Sequence, residues 1–398
     1  MQKLTLKDLD LKNKKVLMRV DFNVPLKNGK ISDDTRIKKT LPSIKYILNN
    51  EASLILMSHM GRPKGKREDQ LSLKIVADRL EKLLNKKVIF VKDSIGKEVE
   101  KLAKNLKEGE ILLLENLRFH EAEEKPGKDE GFAKSLASLA DIYVNDAFGT
   151  SHRKHSSTYE IAKYFKDKAV AGFLLEKEIN FLGNAIRNPK RPFYAIIGGS
   201  KISSKINVLL NLINKVDALF IGGGMSYTFL KAKGVDIANS IVELDQIDSA
   251  NKIMEKCKNK NVALHLAKDI VIADDMSDKA NIKTINSSQN FDENFEGVDI
   301  GEKTINEWIE LLKKAKTILW NGPLGVFEIE KFANGTNKIA LAISKMDAIT
   351  IIGGGDSVAA INNLNLEDEF SHISTGGGAS LEYIEFGTLP GIEVLSDK

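Results

Sequence analysis

The sequence predicts an α/β chain of two domains, each a mostly parallel sheet with helices on both faces. Three observations carry that prediction. The chain has 398 residues, and at ~100–200 residues per domain it can build two separate cores. Short apolar, β-branched runs alternate with Lys/Glu-rich segments of helical period, as in βαβ units. The alternation breaks once, near the middle, at a helix-like segment ended by prolines.

In the first half, strands are read at VLMRV, SLILMS, KVIFV, ILLLENL and IYVNDA; in the second, at FYAIIGG, ALFIGGG, VALHLA, TILWNG and AITIIGGG. Their continuous apolar character suits parallel strands covered on both sides, hence two Rossmann-like three-layer α/β/α domains joined by a connecting helix. That helix is read in GFLLEKEINFLGNAIRNPKRP, where Phe173, Leu174, Ile179, Phe181 and Leu182 have helical spacing and Pro189 and Pro192 end it. The expected boundaries are 1–172 for the first domain, 173–188 for the connector and 189–380 for the second domain. The polar insert DKANIKTINSSQNFDENFEG fits either an antiparallel excursion or a loop.

Composition narrows the function classes. Lys plus Arg exceed Asp plus Glu by only 59 − 55 = 4, far from the basic stripe of a nucleic-acid binder. Small anionic substrates suit this balance better. The opening MQKLTLKDLDLKNKK interleaves charges where a leader would be apolar, and no stretch approaches a membrane span. The expected location is the cytoplasm. Cys257 is the only cysteine, which excludes an internal disulfide and a cysteine-based zinc site.

In open α/β sheets ligands bind beyond the carboxyl ends of the strands, and there the two halves differ. The first half places Arg19, Asp21 and Asn23, then Ser58, His59 and Arg62, then Arg118, then His152 and Arg153 at strand ends, with Arg36 nearby in DDTRIKK. Any one of these arginines alone reads as a surface residue. Their shared position makes a concave site for carboxylate or phosphate, which guanidinium forks match. The second half supplies glycines instead: Gly198-Gly199-Ser200-Lys201, Gly222-Gly223-Gly224, Asn321-Gly322-Pro323-Leu324-Gly325, Gly353-Gly354-Gly355-Asp356-Ser357 and Gly376-Gly377-Gly378. Such loops let backbone N–H groups approach a polyphosphate. Lys201 and Lys205, four apart, are read on one face of the opening of the next helix. No run completes a Walker A or G-x-G-x-x-G spacing, which argues against a nicotinamide-dependent oxidoreductase. Lysines spread among glutamates argue against a nucleic-acid or adhesion surface.

The ordered set RVDFNVP, DDTRI, SHMGRPKG, NDAFGTSHR, GGSKISSK, FIGGGMSYTFL, WNGPLGVFE, GGGDS and STGGGAS resembles the phosphoglycerate kinase family. DIGEKT departs from the family by carrying Glu302 where proline is usual. The resemblance implies magnesium-dependent phosphoryl transfer between 1,3-bisphosphoglycerate and ADP, giving 3-phosphoglycerate and ATP, by domain closure in a monomer. It implies that Asp21, Phe22, Asn23, Arg36, His59, Met60, Gly61, Arg62, Arg118 and Arg153 hold 3-phosphoglycerate. Lys205, Gly297, Asn321, Glu328, Gly354, Gly355, Asp356 and Ser357 would hold the nucleotide, with Glu328 on the ribose hydroxyls and Asp356 near magnesium. Arg36, Lys201 and the N–H groups at Gly376 and Gly377 would attend the transferring group. It also implies that residues 381–398 return to the first domain.

Overall fold

The computed structural model describes residues 2–398, and the chain divides into two compact units. One holds the chain up to Asn180 together with Thr388–Lys398; the other holds Phe181–Gly387.

In the first unit, strands β1 (Lys15–Val20), β4 (Ser53–Met57), β5 (Val88–Phe90), β6 (Ile111–Leu113), β7 (Ile142–Asp146) and β8 (Ala169–Ala171) form one parallel sheet in the order β5-β6-β4-β1-β7-β8. A short hairpin, β2 (Leu26–Lys27) with β3 (Lys30–Ile31), follows β1. The strands are apolar because both faces are covered: Val16, Met18, Leu54 and Leu56 share a core with Ile37, Ile44 and Ile47 of the helix Thr35–Asn49. The run ILLLENL stops being a strand at Leu113, and Leu117–Phe119 forms a 3-10 turn in which Asn116 Oδ1 accepts the Arg118 N–H at 3.1 Å. The C-terminal segment completes this unit. Ser396 N–H donates to Ala169 O at 2.8 Å, and Leu4 N–H to Ser396 O at 2.8 Å.

The second unit repeats the plan. Strands β9 (Phe193–Ile197), β10 (Ala218–Ile221), β11 (Ala263–Leu266), β15 (Thr317–Asn321), β16 (Ile349–Gly353) and β17 (His372–Ile373) form a parallel sheet, β11-β10-β9-β15-β16-β17. Phe220, Trp308 and Trp320 sit in its core. Strands β12 (Asp269–Ala273), β13 (Ile282–Asn286) and β14 (Glu296–Ile300) make a separate antiparallel sheet, β13-β12-β14. The polar insert is therefore the antiparallel excursion, not a loop.

The connecting helix runs Phe173–Arg187. At its start the buried carboxyl of Asp146 accepts the N–H groups of Leu174 and Leu175 at 2.9 and 3.1 Å, which satisfies two otherwise unpaired donors. The helix Gly378–Phe386 packs on the helix Ile206–Leu212 inside the second unit. The return to the first unit therefore begins at Thr388, later than the residue 381 expected from sequence.

Candidate active site

Each parallel sheet gathers polar groups at its carboxyl edge, where its strand order reverses. In the first unit Arg19 does not face outward. It is fully buried, and its guanidinium donates to Ser157 Oγ at 2.8 Å, to Val20 O and to His59 Nδ1 at 3.2 Å, with the buried Glu123 at 3.9 Å. Glu123 is held in turn by Ser157 N–H and Oγ–H at 3.0 and 2.6 Å. Arg19 is thus a strut beneath the site, because a buried charge is tolerated only when paired.

Above the strut, Arg36 pairs with Asp21, and Asn23 Oδ1 accepts the Gly61 N–H at 2.9 Å. Ser58 Oγ accepts the Phe22 N–H at 2.9 Å and donates to Val20 O at 2.8 Å, which ties the end of β1 to that of β4. Asn116 donates to Met60 O at 2.7 Å, and Arg118 donates to Gly61 O at 2.8 Å while lying 3.2 Å from Glu124. Arg62 and Arg153 are exposed and make no ion pair among the described residues. Because Arg19 donates to Nδ1, His59 carries its proton on Nε2. Burial, then Arg19, Arg118 and Arg36, hold its pKa well below the usual histidine value. Burial and neighbouring arginines push His152 down to about 4 and His155 to about 3. At neutral pH the positive charge here belongs to the arginines.

In the second unit the reversal lies between β9 and β15, and Lys205 bridges it. Its ammonium donates to Gly198 O at 2.7 Å, Asn321 Oδ1 at 2.8 Å and Asn321 O at 3.3 Å. Burial lowers its pKa to about 8. The helix begins only at Ile206, so Lys201 and Lys205 do not share a helical face: Lys201 is exposed, its ammonium unpaired among the described residues, while Lys205 is buried. The first glycine loops pack on one another. Gly199 N–H donates to Pro323 O at 2.9 Å and Gly223 N–H to Leu324 O at 3.0 Å, and a Cβ on Gly198 would lie 2.0 Å from Pro323 O.

Ser357 Oγ accepts the Gly322 N–H at 2.6 Å, and Gly297 N–H donates to Ser240 Oγ at 2.9 Å. A Cβ on Gly297 would meet the Tyr227 ring, so only glycine fits there. Gly354, at φ +88°, turns the chain into the helix Gly355–Asn363. Asp356 lies exposed in its first turn, and among the described residues its carboxylate makes no hydrogen bond or ion pair. Beside this turn the Asn321 amide nitrogen is buried without an acceptor among the described residues. Glu328 is exposed and unpaired among the described residues. Gly376 N–H already donates to Ser374 Oγ at 3.1 Å, whereas Gly377, at φ +53°, precedes the helix Gly378–Phe386. Among the described residues no three His, Cys, Asp or Glu side chains cluster as a metal cage, and no helix is long and apolar enough to cross a membrane.

Glu123, Ser157 and Asn116 beneath the first site and Asp299 beneath the second are not among the residues singled out from sequence. Two of them carry a signal, each a polar residue between apolar neighbours: Asn116 in ILLLENL and Asp299 in EGVDI.

Known proteins share this architecture. The family model for phosphoglycerate kinase matches residues 6–386. A phosphoglycerate kinase of Clostridium botulinum is 52% identical over 100% of this chain and 99% of its own length. One of Dictyoglomus turgidum is 54% identical over 99% and 98%. The solved phosphoglycerate kinase structure from Coxiella burnetii superposes with a TM-score of 0.90 at 42% identity, and that from Pyrococcus horikoshii with 0.84 at 32%; each pair covers 98% of both chains. The chain belongs to the phosphoglycerate kinase family, whose activity is glycolytic phosphoryl transfer.

Proposed function

We propose that the first unit holds 3-phosphoglycerate or 1,3-bisphosphoglycerate and the second holds ADP or ATP, the phosphoryl group passing between them as the units close on both. The observation that carries this reading is the contrast between the two carboxyl edges. The first carries the exposed Arg62 and Arg153, unpaired among the described residues, together with Arg36 and the neutral His59, and side chains fix the backbone at Phe22, Met60 and Gly61. The second presents glycine loops around an ammonium.

Toward ADP formation, a carboxylate oxygen of 3-phosphoglycerate attacks the terminal phosphorus of ATP and the bond to the ADP oxygen breaks. With a carboxylate pKa near ~4 the nucleophile is already ionised, so no general base is needed. The residues' task is alignment to within ~3–3.5 Å and charge compensation. Arg36 leaves Asp21 to meet the transferring group from the first unit. Lys201, exposed and with its ammonium unpaired among the described residues, serves it from the second unit, where the Gly377 N–H is a further donor and Gly376 shapes the turn. Lys205, Gly297, Asn321, Gly354, Gly355 and Ser357 form the nucleotide bed, and Glu328 takes the ribose hydroxyls.

Magnesium fits this donor set. A lone exposed carboxylate, Asp356, at a glycine turn suits an ion held mainly by nucleotide phosphates and water. When bound, the ion neutralises charge on the phosphate oxygens. The family further supports a cytoplasmic monomer acting on these small molecules, with no nucleic-acid or membrane partner.

Paired calorimetric titrations test the assignment of substrates to units. Arg62→Ala with Arg153→Ala should abolish 3-phosphoglycerate binding and leave ADP binding intact. Glu328→Gln should do the reverse. Loss of both ligands in either variant would overturn the division.

A further inference from the structure

We infer that Asp299 is a positioning residue for nucleotide binding, anchoring from behind the loop that runs from Gly322 to Glu328. The inference rests on the reading of the second unit as the nucleotide unit. Asp299 lies in β14 and is 1% exposed, so it touches no ligand directly. One carboxyl oxygen accepts the N–H of Ile300 at 2.8 Å, and the other accepts the N–H of Gly335 at 2.7 Å. Gly335 belongs to the first turn of the helix Asn334–Ile343, an end that favours an anion.

The carboxyl is gripped between two glycine backbones. A Cβ on Gly325 would fall 2.4 Å from Asp299 Oδ1, and a Cβ on Gly335 would also fall 2.4 Å from it. Gly325 is part of the loop, whereas Gly335 opens the helix behind it. Asp299 therefore fixes the spacing between loop and helix. Its neighbours complete the same anchorage: Val298 O accepts the Val326 N–H at 2.9 Å, and Thr336 Oγ1 accepts the Leu324 N–H at 3.0 Å.

Displacing this anchor moves the parts of the loop that matter to a nucleotide. Pro323 O and Leu324 O accept the N–H groups of Gly199 and Gly223, so the loop sets the position of two further glycine turns. Three residues beyond Gly325 stands the exposed Glu328. A side chain that merely fills core would affect stability alone. One that sets this loop affects ADP affinity selectively, because the 3-phosphoglycerate groups all lie on the other unit.

The test uses the full chain. Asp299→Asn keeps the shape but replaces one acceptor with an amide NH₂ facing an N–H. Gly325→Ala perturbs the same contact from the loop side, at a residue without positive φ. Both variants are expected to raise the ADP dissociation constant by about tenfold, with the KM for 3-phosphoglycerate changed less than twofold and kcat less than threefold. Unchanged ADP affinity in a folded variant, or equal losses for the two substrates, would overturn the proposal. Failure of the underlying reading looks different: the unmodified chain would then bind no ADP.

Discussion

Replacing Lys205 by methionine separates two roles that the structure gives one ammonium. The substitution keeps most of the apolar stem but leaves Gly198 O and the Asn321 side-chain and main-chain oxygens without their donor. Hydrogen bonds from a charged group are worth about 1.5–3 kcal/mol each. Two of the three contacts are short, at 2.7 and 2.8 Å. Their loss, reduced by water entering and by the cost already spent on burying the charge, amounts to about 3 kcal/mol. At roughly 2–4 °C per kcal/mol for a unit of this size, scanning calorimetry should show the melting temperature of the second unit fall by about 6–12 °C. ADP titration should show weaker binding in the same variant. Lys201→Ala is the control, because that side chain has no partner to lose among the described residues. It should melt as the unmodified chain does and bind ADP nearly as well, yet lose about 10²–10³ in kcat. A Lys205→Met protein melting within about 1 °C of the unmodified chain would refute the bridge across β9 and β15. Equal affinity losses for the two lysines, with turnover intact, would remove Lys201 from the transfer step.

Arg36→Ala should cut kcat by about 10²-fold while changing ATP affinity little; unchanged turnover in a steady-state assay would remove Arg36 from the reacting groups. Asp356→Ala should weaken ADP binding in the presence of magnesium but not with EDTA, and calorimetry showing identical MgADP affinity would leave the carboxylate without a role. Burial raises Asp146 to about 7, above the ~3.9 of an unfolded aspartate, so the folded state binds more protons between these values. Its contribution to stability is full below the unfolded value, falls as pH rises toward 7 and is lost above it. Denaturant titrations from pH 5 to 8 should therefore show the unmodified chain losing stability relative to Asp146→Asn by up to about 1.4 kcal/mol per pH unit below 7. Parallel curves would place the Asp146 pKa near its ordinary value.

The parts of this fold legible in sequence are those whose burial is continuous along the chain. Ile142–Asp146 and Thr317–Asn321 are buried at every position and read as strands at once. Ala169–Ala171 escapes because three residues carry too little periodicity, and Ile282–Asn286 stays open between strand and loop in sequence because its side chains are mostly exposed. The site was legible as a set of residue types at strand ends, but its wiring was not. Lys205 and Asn321 meet across 116 positions of chain, and no local spacing states that the ammonium faces carbonyls. Arg19 and Arg62 look alike in sequence. Only the packing shows Arg19 turned inward onto Glu123 and Ser157 while Arg62 stays free. In sequence the glycine runs suit phosphate cradles, and several are, more immediately, the means by which three loops lie backbone against backbone.

The central claim is phosphoryl transfer to the carboxylate of 3-phosphoglycerate. Purified protein with ATP and magnesium, coupled to reduction of the acyl phosphate product, measures it directly. Turnover should depend on 3-phosphoglycerate, need both ATP and magnesium, and disappear in the Arg36→Ala, Lys201→Ala double variant. ATP consumption that proceeds equally without 3-phosphoglycerate, or that survives in the double variant, would contradict it.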